Sequence, residues 1–399
     1  MPNDIVQPTV INMGGASASG KTTLSRKLKI ALLAGGKSCE IVANDFYYKL
    51  FLKSSAQYKK IETDLKAEGL ITDKQTPAEQ KTQINRRYVE TGKFDLYKSF
   101  NTKLMAHDLA KLNKGEAVKK GIYSFETHRY SDYKTIKPAQ YIILEGLYGA
   151  NNEIFDDEFK TLSVFVSTSS VLTIKERRIA RDIAERPDEP DPKKRDPAKE
   201  TLSVIRRLNK DVWPAFFGFP IDLKTKQTNP NSIAHTMLGV DIQIFDDEVS
   251  DLDDGVYTIL KELGLLCDRD FILSSVHHNG LILKHASDEL KVELGDNREF
   301  MLAAVRQAGL PALQYASETL QNDKWLQRAA TIPLLGFIMQ YPKTASGIFI
   351  SAAAFTIQAL TTTNTPIMPK LPIGMNFFDV TNDDTYQNTS ELAASQCGL

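Results

Sequence analysis

One octapeptide restricts this chain more than any bulk property. Gly15-Ala16-Ser17-Ala18-Ser19-Gly20-Lys21-Thr22 fits G-x-x-x-x-G-K-[ST] in full. Glycines at those positions let successive backbone N–H groups approach phosphate oxygens. The lysine adds a point charge for the β- and γ-phosphates, and the threonine hydroxyl completes a Mg²⁺ shell. The flanking residues agree. An apolar run, Val10–Met13, leads into the loop, and a helix is expected over Lys21–Ala34, closed by Gly35-Gly36. The N-terminus of that helix then faces the anion. Gly15 through Thr22, with Thr23 next on the helix, form the expected nucleotide-binding set.

Short β-rich runs (VINM, EIVAND, YIILEG, SVFVST) alternate with helical stretches from Thr9 to about Leu263. That alternation predicts βαβ units around a parallel sheet flanked by helices, an α/β fold. Two of the runs end in carboxylates, Asp45 and Glu145. Strand ends on one edge of a parallel sheet converge on the ligand crevice. Thr22, Asp45 and Glu145 are therefore the candidate Mg²⁺ ligands, with one of the acids available as a base.

Composition excludes several classes. The chain has 399 residues, 42% hydrophobic and 25% charged, which argues against collagen, coiled coil or wholesale disorder. Lys and Arg (49) balance Asp and Glu (50), so a nucleic-acid grip by bulk charge is not expected. Three cysteines, Cys39, Cys267 and Cys397, are too few for a disulfide framework and fit a reducing compartment. The N-terminus lacks the pattern of a secretory signal. The apolar stretch Thr331–Leu360 is cut by Pro342-Lys343, leaving 13 residues from Ile348, short of the ~20 a spanning helix needs. Buried helices are expected there, and no membrane partner. FDDEVSDLDD, around Asp246–Asp254, reads as a solvated linker or surface loop.

An internal repeat follows. Arg269–Lys291 aligns with Arg298–Gln321, placing Phe271 on Phe300, Val276 on Val305 and Gly280 on Gly309, and a degenerate third start lies at Asp323. Two short helices broken at a glycine are the pattern of stacked helical repeats. The expected organisation is a P-loop domain over 1–264, an all-α repeat domain over 265–360 and a loosely ordered tail over 361–399.

GGASASGKTT, NDFYY, FDLYKSF, YSFETHRY, ILEG and FVSTSSVLTIKERRIARDIAER together resemble the uridine–cytidine kinase branch of the phosphoribulokinase/uridine kinase family. The resemblance runs through VWPAF, over roughly the first 220 to 240 residues. YSFETH is its most specific segment. The resemblance implies a lidded nucleoside kinase that moves the γ-phosphate of ATP or GTP, with Mg²⁺, to the 5′-hydroxyl of uridine or cytidine in pyrimidine salvage. Asp45 would be the catalytic base, assisted by Lys21 and Arg181. Asp95 would hold the ribose hydroxyls, and Tyr47 and Phe94, beside these carboxylates in their motifs, would contact the substrate with them. Tyr123, Phe125 and His128 would recognise the base, and Arg178, Arg181 and Arg186 would close a lid over the phosphates. A cytoplasmic enzyme is implied. Another small-alcohol kinase and a nucleotide-regulated interaction protein remain alternatives.

The departures are two. A Lys/Glu/Gln-rich segment from about Ser54 to Glu90 is longer than the family pattern; the resemblance puts it near the acceptor site, where it would narrow or change substrate choice. The lid continues as PDEPDPKKRD, with Asp188 where a further arginine is expected and Arg195 as a candidate substitute. The repeats resemble a helical domain of unknown function from intracellular bacterial pathogens. A protein partner for them and a homo-oligomer stay open.

Overall fold

The structure, a computed structural model, describes residues 7–91, 94–124, 129–151, 159–185, 195–217, 232–248 and 251–331. Phe125, His128, Arg186, Asp188 and the apolar stretch beyond 331 lie outside them. Among the described residues no helix is long and apolar enough to cross a membrane. The chain divides into two compact units at Ser274/Ser275, later than the expected break at 264.

The first unit is built on five parallel strands in the order β2-β5-β1-β6-β7: β1 (Thr9–Gly15), β2 (Cys39–Ala43), β5 (Tyr141–Glu145), β6 (Lys160–Ser167) and β7 (Ile242–Phe245). All seven residues of β1 are buried, as a central strand covered on both faces requires. β3 (Val118–Ser124) and β4 (Arg129–Ile136) form a separate antiparallel ribbon. The helices of this unit are α1 (Lys21–Ala34), α2 (Ala56–Ala67), α3 (Pro77–Thr91), α4 (Thr102–Asn113), α5 (Val171–Glu185), α6 (Pro197–Arg207), α7 (Trp213–Phe217), α8 (Asp251–Glu262) and α9 (Arg269–Ser275).

Helix α1 spans the residues its pattern implied. It turns Leu24, Leu28 and Leu32, at i,i+4 spacing, fully inward. Its C-terminal end is closed by Phe271 of α9, which a Cβ at Gly35 would strike, and Lys37 pairs with Asp268 at 2.8 Å. The first helix of the repeat thus belongs to the sheet unit, because its phenylalanine fills a space only glycine leaves.

On the other sheet face, Met105, Leu109 and Leu112 of α4 pack with Val10, Val42, Ile142 and Leu144, and with Val118 and Ile136 of the ribbon. Lys120 and Asp108 form a buried ion pair here at 2.7 Å, and the ammonium lies 4.1 Å from the Tyr47 ring centroid. Removing one partner of a buried pair leaves an uncompensated charge, at a cost of about 3–5 kcal/mol. Asp108→Ala should therefore lower the melting temperature by on the order of 10 °C. Asp108→Ala/Lys120→Met, which removes both charges, should recover most of that in the same thermal melt. A single variant melting with the wild type would contradict the burial.

The segment Ser54–Glu90 folds as the α2–α3 hairpin, with its own apolar cluster of Phe51, Tyr58, Ile61, Leu65, Ile71, Ile84 and Tyr88. Ser55 caps α2 through the Tyr58 N–H at 3.2 Å. Thr76 and Glu79 cap α3 reciprocally, at 3.3 and 2.7 Å, a capping box written in the sequence as T-P-A-E.

The described residues of the acidic run follow β7 and open α8, and several of their carboxylates have partners, which a solvated linker or surface loop does not imply. Asp251 accepts the Asp247 and Glu248 N–H groups at 2.8 and 2.7 Å, Asp253 is buried against Lys27 at 2.6 Å, and Asp251, Asp253 and Asp254 open α8. Carboxylates are favourable at that end of a helix dipole.

The second unit, from Ser275, contains α10 (Asp288–Gly295) and α11 (Arg298–Ala308), followed by the single helical turns Leu310–Leu313 and Glu318–Gln321 and by a further helical stretch over 324–331. The repeat is visible in its caps. Asp268, Asn297 and Asp323 each accept the N–H three residues on, from Phe271, Phe300 and Leu326, and those three side chains are buried. Ser287 and Ser317 cap the second helices in the same way. Within this unit a Cβ at Gly280 would strike the Ala304 carbonyl of α11, so the glycine permits the close stacking that the alignment implied.

Candidate functional site

All five sheet strands run the same way, so their C-terminal ends deliver Gly15, Asp45, Glu145 and Asp246 to one edge. A cavity of about 600 Å³ opens there. That is within the usual range for a small-molecule pocket. Ser17 through Thr23 line one side, Asp45, Tyr48 and Asp95 line another, and Arg178 and Arg181 reach in from α5.

The phosphate loop follows from its sequence. Gly20 adopts φ +91°, and a Cβ there would run into the Asp246 carboxylate, so both backbone and space demand glycine. Ala18, at φ +65°, is the one non-glycine residue with positive φ among the described residues. A strained, small residue inside a loop that must bring N–H groups to a ligand is a recurrent active-site feature. Gly15 and Ala16 lie beneath the cavity rather than on it, and the Ala16 carbonyl accepts a hydrogen bond from Lys21 Nζ.

Lys21 is 7% exposed. Burial brings its ammonium down from the ordinary 10.5 to about 8. Glu145, Asp45 and Asp95 oppose that fall and Arg181 adds to it. Thr22 Oγ1 lies 3.3 Å from Glu145 Oε2, and Asp45 lines the same cavity. A hydroxyl beside a carboxylate, with a second carboxylate nearby, is an oxygen donor set suited to Mg²⁺, which keeps several waters and is completed by substrate phosphates. No group of three or more His, Cys, Asp or Glu among the described residues could by itself hold a metal ion.

Arg178 and Arg181 both hydrogen-bond Ser17 Oγ, the second at 3.5 Å. Asp182, 2% exposed, holds them from behind, at 2.8 Å to Arg178 and 3.0 Å to Arg181. Burial pushes that carboxyl up, and the two guanidinium groups outweigh it, keeping it below the usual range. Arg177 pairs with Asp246 at 2.6 Å. Five guanidinium or ammonium groups, those of Lys21, Arg26, Arg177, Arg178 and Arg181, thus border one cavity, an arrangement suited to a polyphosphate.

Three expected acceptor residues stand elsewhere. Tyr47 is turned into the α4–ribbon core, where burial and then Asp108 raise its phenol above the usual range; its neighbour Tyr48 takes the cavity position instead. The short helical turn Asn44–Tyr47 ends between them, so consecutive tyrosines face opposite ways. Phe94 packs edge-on against Tyr88 at 5.2 Å, while Asp95 beside it reaches the cavity. Tyr123 is buried behind Tyr48, ring to ring at 4.9 Å. Arg195 faces Glu200 at 3.9 Å and is not among the cavity residues.

The residues not foreseen are Tyr48, Arg26, Arg177, Asp182 and Asp246. For Asp246 a signal existed. It follows the run IQIF as Asp45 follows EIVAN, but the acidic run masked it. Asp182 is legible as the i+4 partner of Arg178.

Comparison with known proteins agrees with this geometry. The model of the "Phosphoribulokinase / Uridine kinase family" matches residues 10–191, and "Domain of unknown function (DUF4116)" matches residues 297–330. A uridine kinase of Leuconostoc citreum is 30% identical over 182 residues, 45% of this chain and 71% of that protein. A uridine-cytidine kinase-like protein of mouse is 30% identical over 207 residues, 52% of this chain but only 30% of its own length. Among solved structures, a phosphoribulokinase from Rhodobacter spheroides aligns at 14% identity and TM-score 0.30, over 52% of this chain and 66% of its own, too distant to argue from. The phosphate loop, the carboxylates at the strand ends, the arginines of α5 and a relative matched over most of its length lead to one conclusion: the chain is a kinase of the phosphoribulokinase/uridine kinase family.

Proposed function

We propose that this kinase transfers the γ-phosphate of ATP or GTP to the 5′-hydroxyl of a pyrimidine nucleoside, uridine or cytidine. One observation carries the reading: Asp45, Asp95 and Tyr48 share a single cavity with the phosphate loop and the arginines of α5. An anion clamp and an alcohol-orienting carboxylate side by side are what phosphoryl transfer between two small molecules needs. The uridine kinase named above is similar over most of its length and supports the same acceptor class.

The transition state is loose, so positioning and charge neutralisation supply most of the rate. Backbone N–H groups of Ser17–Thr22 and the Lys21 ammonium hold the donor phosphates. Arg178 and Arg181, kept in place by Asp182, meet the charge that builds on the transferred group. Asp95 suits a ribose diol, as a bidentate acceptor. Asp45 orients the 5′-hydroxyl; a carboxylate is too weak a base to ionise an alcohol beforehand, so it receives the proton late. Thr22, Glu145 and Asp45 would hold Mg²⁺, which neutralises phosphate charge when bound. Consumption of a soluble nucleotide and nucleoside fits a cytoplasmic enzyme. The repeat unit takes no part in this chemistry and stays available for a protein partner.

The test is a coupled ADP-release assay across uridine, cytidine, purine nucleosides, pantothenate and ribulose phosphate. Uridine or cytidine should exceed the baseless acceptors in kcat/KM by about 10²-fold or more, since a site built to hydrogen-bond its substrate rejects analogues that lack those groups. Preference for pantothenate or ribulose phosphate would replace this reading with the corresponding alcohol kinase.

A further inference from the structure

The α2–α3 hairpin reaches the acceptor side of the cavity by two routes. Tyr88 of α3, 5% exposed, stacks on Phe51 with ring centroids 3.6 Å apart and planes 9° off parallel. Edge-on at 5.2 Å it meets Phe94, the residue before Asp95. By the second route its hydroxyl is hydrogen-bonded to that of Tyr123, which lies 4.9 Å from Tyr48. Tyr48 in turn packs on Phe100 at 4.4 Å and lines the cavity with Asp45 and Asp95. Burial, then Tyr88 and Asp45, push the Tyr123 phenol up.

The apolar cluster of the hairpin does not explain a tyrosine at 88. Phenylalanine fills the same volume against Phe51, Tyr58 and Ile84, and a volume-conserving change in such a cluster is cheap. The hydroxyl is the part that reaches past the cluster, and a buried phenol is placed where it has a partner.

We propose that Tyr88 is a positioning residue of the acceptor pocket: the hairpin uses it to hold Tyr123, and through Tyr123 the Tyr48 ring, so that this segment sets which acceptor the site takes. The flat, aromatic-backed wall that results suits a planar heterocycle on the acceptor. The proposal rests on reading Asp45, Asp95 and Tyr48 as the acceptor site of a nucleoside kinase.

The experiment uses the full chain and the acceptor panel above. Tyr88→Phe keeps the packing and removes the hydrogen bond. It should raise the KM of the acceptor about fivefold, the scale of one lost hydrogen bond, and leave the KM of ATP within about twofold. Combined with Tyr123→Phe, its effect on acceptor KM should be less than additive, because both changes break the same contact. Arg87→Ala is the control. It loosens the hairpin by removing the Arg87–Glu68 pair (2.6 Å) without touching the wall, and should leave acceptor KM unchanged. Should Tyr88→Phe fail to fold, Tyr123→Phe with Tyr88 intact must give the same fivefold split between acceptor and ATP. An unchanged acceptor KM in folded Tyr88→Phe overturns the proposal and leaves the nucleoside reading standing. So does an equal effect from Arg87→Ala, which would make the role purely structural. If the wild type instead prefers pantothenate or ribulose phosphate, the nucleoside reading falls. The same KM split measured on that acceptor then upholds the role of Tyr88, and its absence ends it. A wild type that phosphorylates none of the panel overturns both.

Discussion

Asp45→Asn should lower kcat by about 10³-fold or more while nucleotide binding measured without divalent cation stays within about twofold. The amide has the size of the carboxylate but cannot take the proton of the attacking hydroxyl, and such proton transfer is typically worth about 10²–10⁴-fold. A second consequence is indirect. Asp45 is one of three carboxylates that help keep Lys21 protonated, so its removal should move the pH dependence of nucleotide affinity to lower pH. Stopped-assay kcat and a fluorescence titration of nucleotide on the same preparation separate the two effects. Near-normal turnover in the purified variant would remove Asp45 from the reaction.

Lys21→Ala should cost on the order of 10² to 10³ in kcat, the range for deleting one preorganised electrostatic donor. The direction of the pH effect follows from its burial. The free ammonium titrates at about 8 rather than 10.5, and only its charged form attracts phosphate. Nucleotide affinity of the wild type should therefore weaken as the pH rises above 8. Lys21→Ala should lose that slope and bind weakly at every pH. A wild-type Kd independent of pH between about 7 and 9.5 would mean that Lys21 stays charged throughout and that its burial is offset by its neighbours.

Much of the catalytic edge was legible because a parallel sheet enforces it. Once VINM, EIVAND and YIILEG are strands, Gly15, Asp45 and Glu145 have to meet. The helix over Lys21–Ala34 was readable from its leucines and closing glycines. What escaped reading depended on contacts distant in sequence. Nothing local says that Phe271 will close over Gly35, which is why the first unit extends past 264. Tyr47 and Tyr48 are chemically alike, and only the helical turn that ends between them decides which one enters the core. The acidic run was misread because charge density alone does not distinguish a solvated loop from a helix start whose carboxylates have partners such as Lys27, Arg177 and backbone N–H groups. That the Ser54–Glu90 segment lies on the acceptor side follows from its place between Asp45 and Phe94, but its Lys/Glu/Gln-rich composition hid the apolar cluster that its aromatic residues form.

Helices α2 and α3 close their own apolar cluster and carry their own caps at Ser55 and Thr76. A segment enclosed in this way behaves as a cassette: selection can lengthen, trim or exchange it while the phosphate loop and α5, which lie on other elements, keep their geometry. On the proposed role of Tyr88, a laboratory exchange of this hairpin between two such kinases would change what is phosphorylated and leave how it is phosphorylated intact.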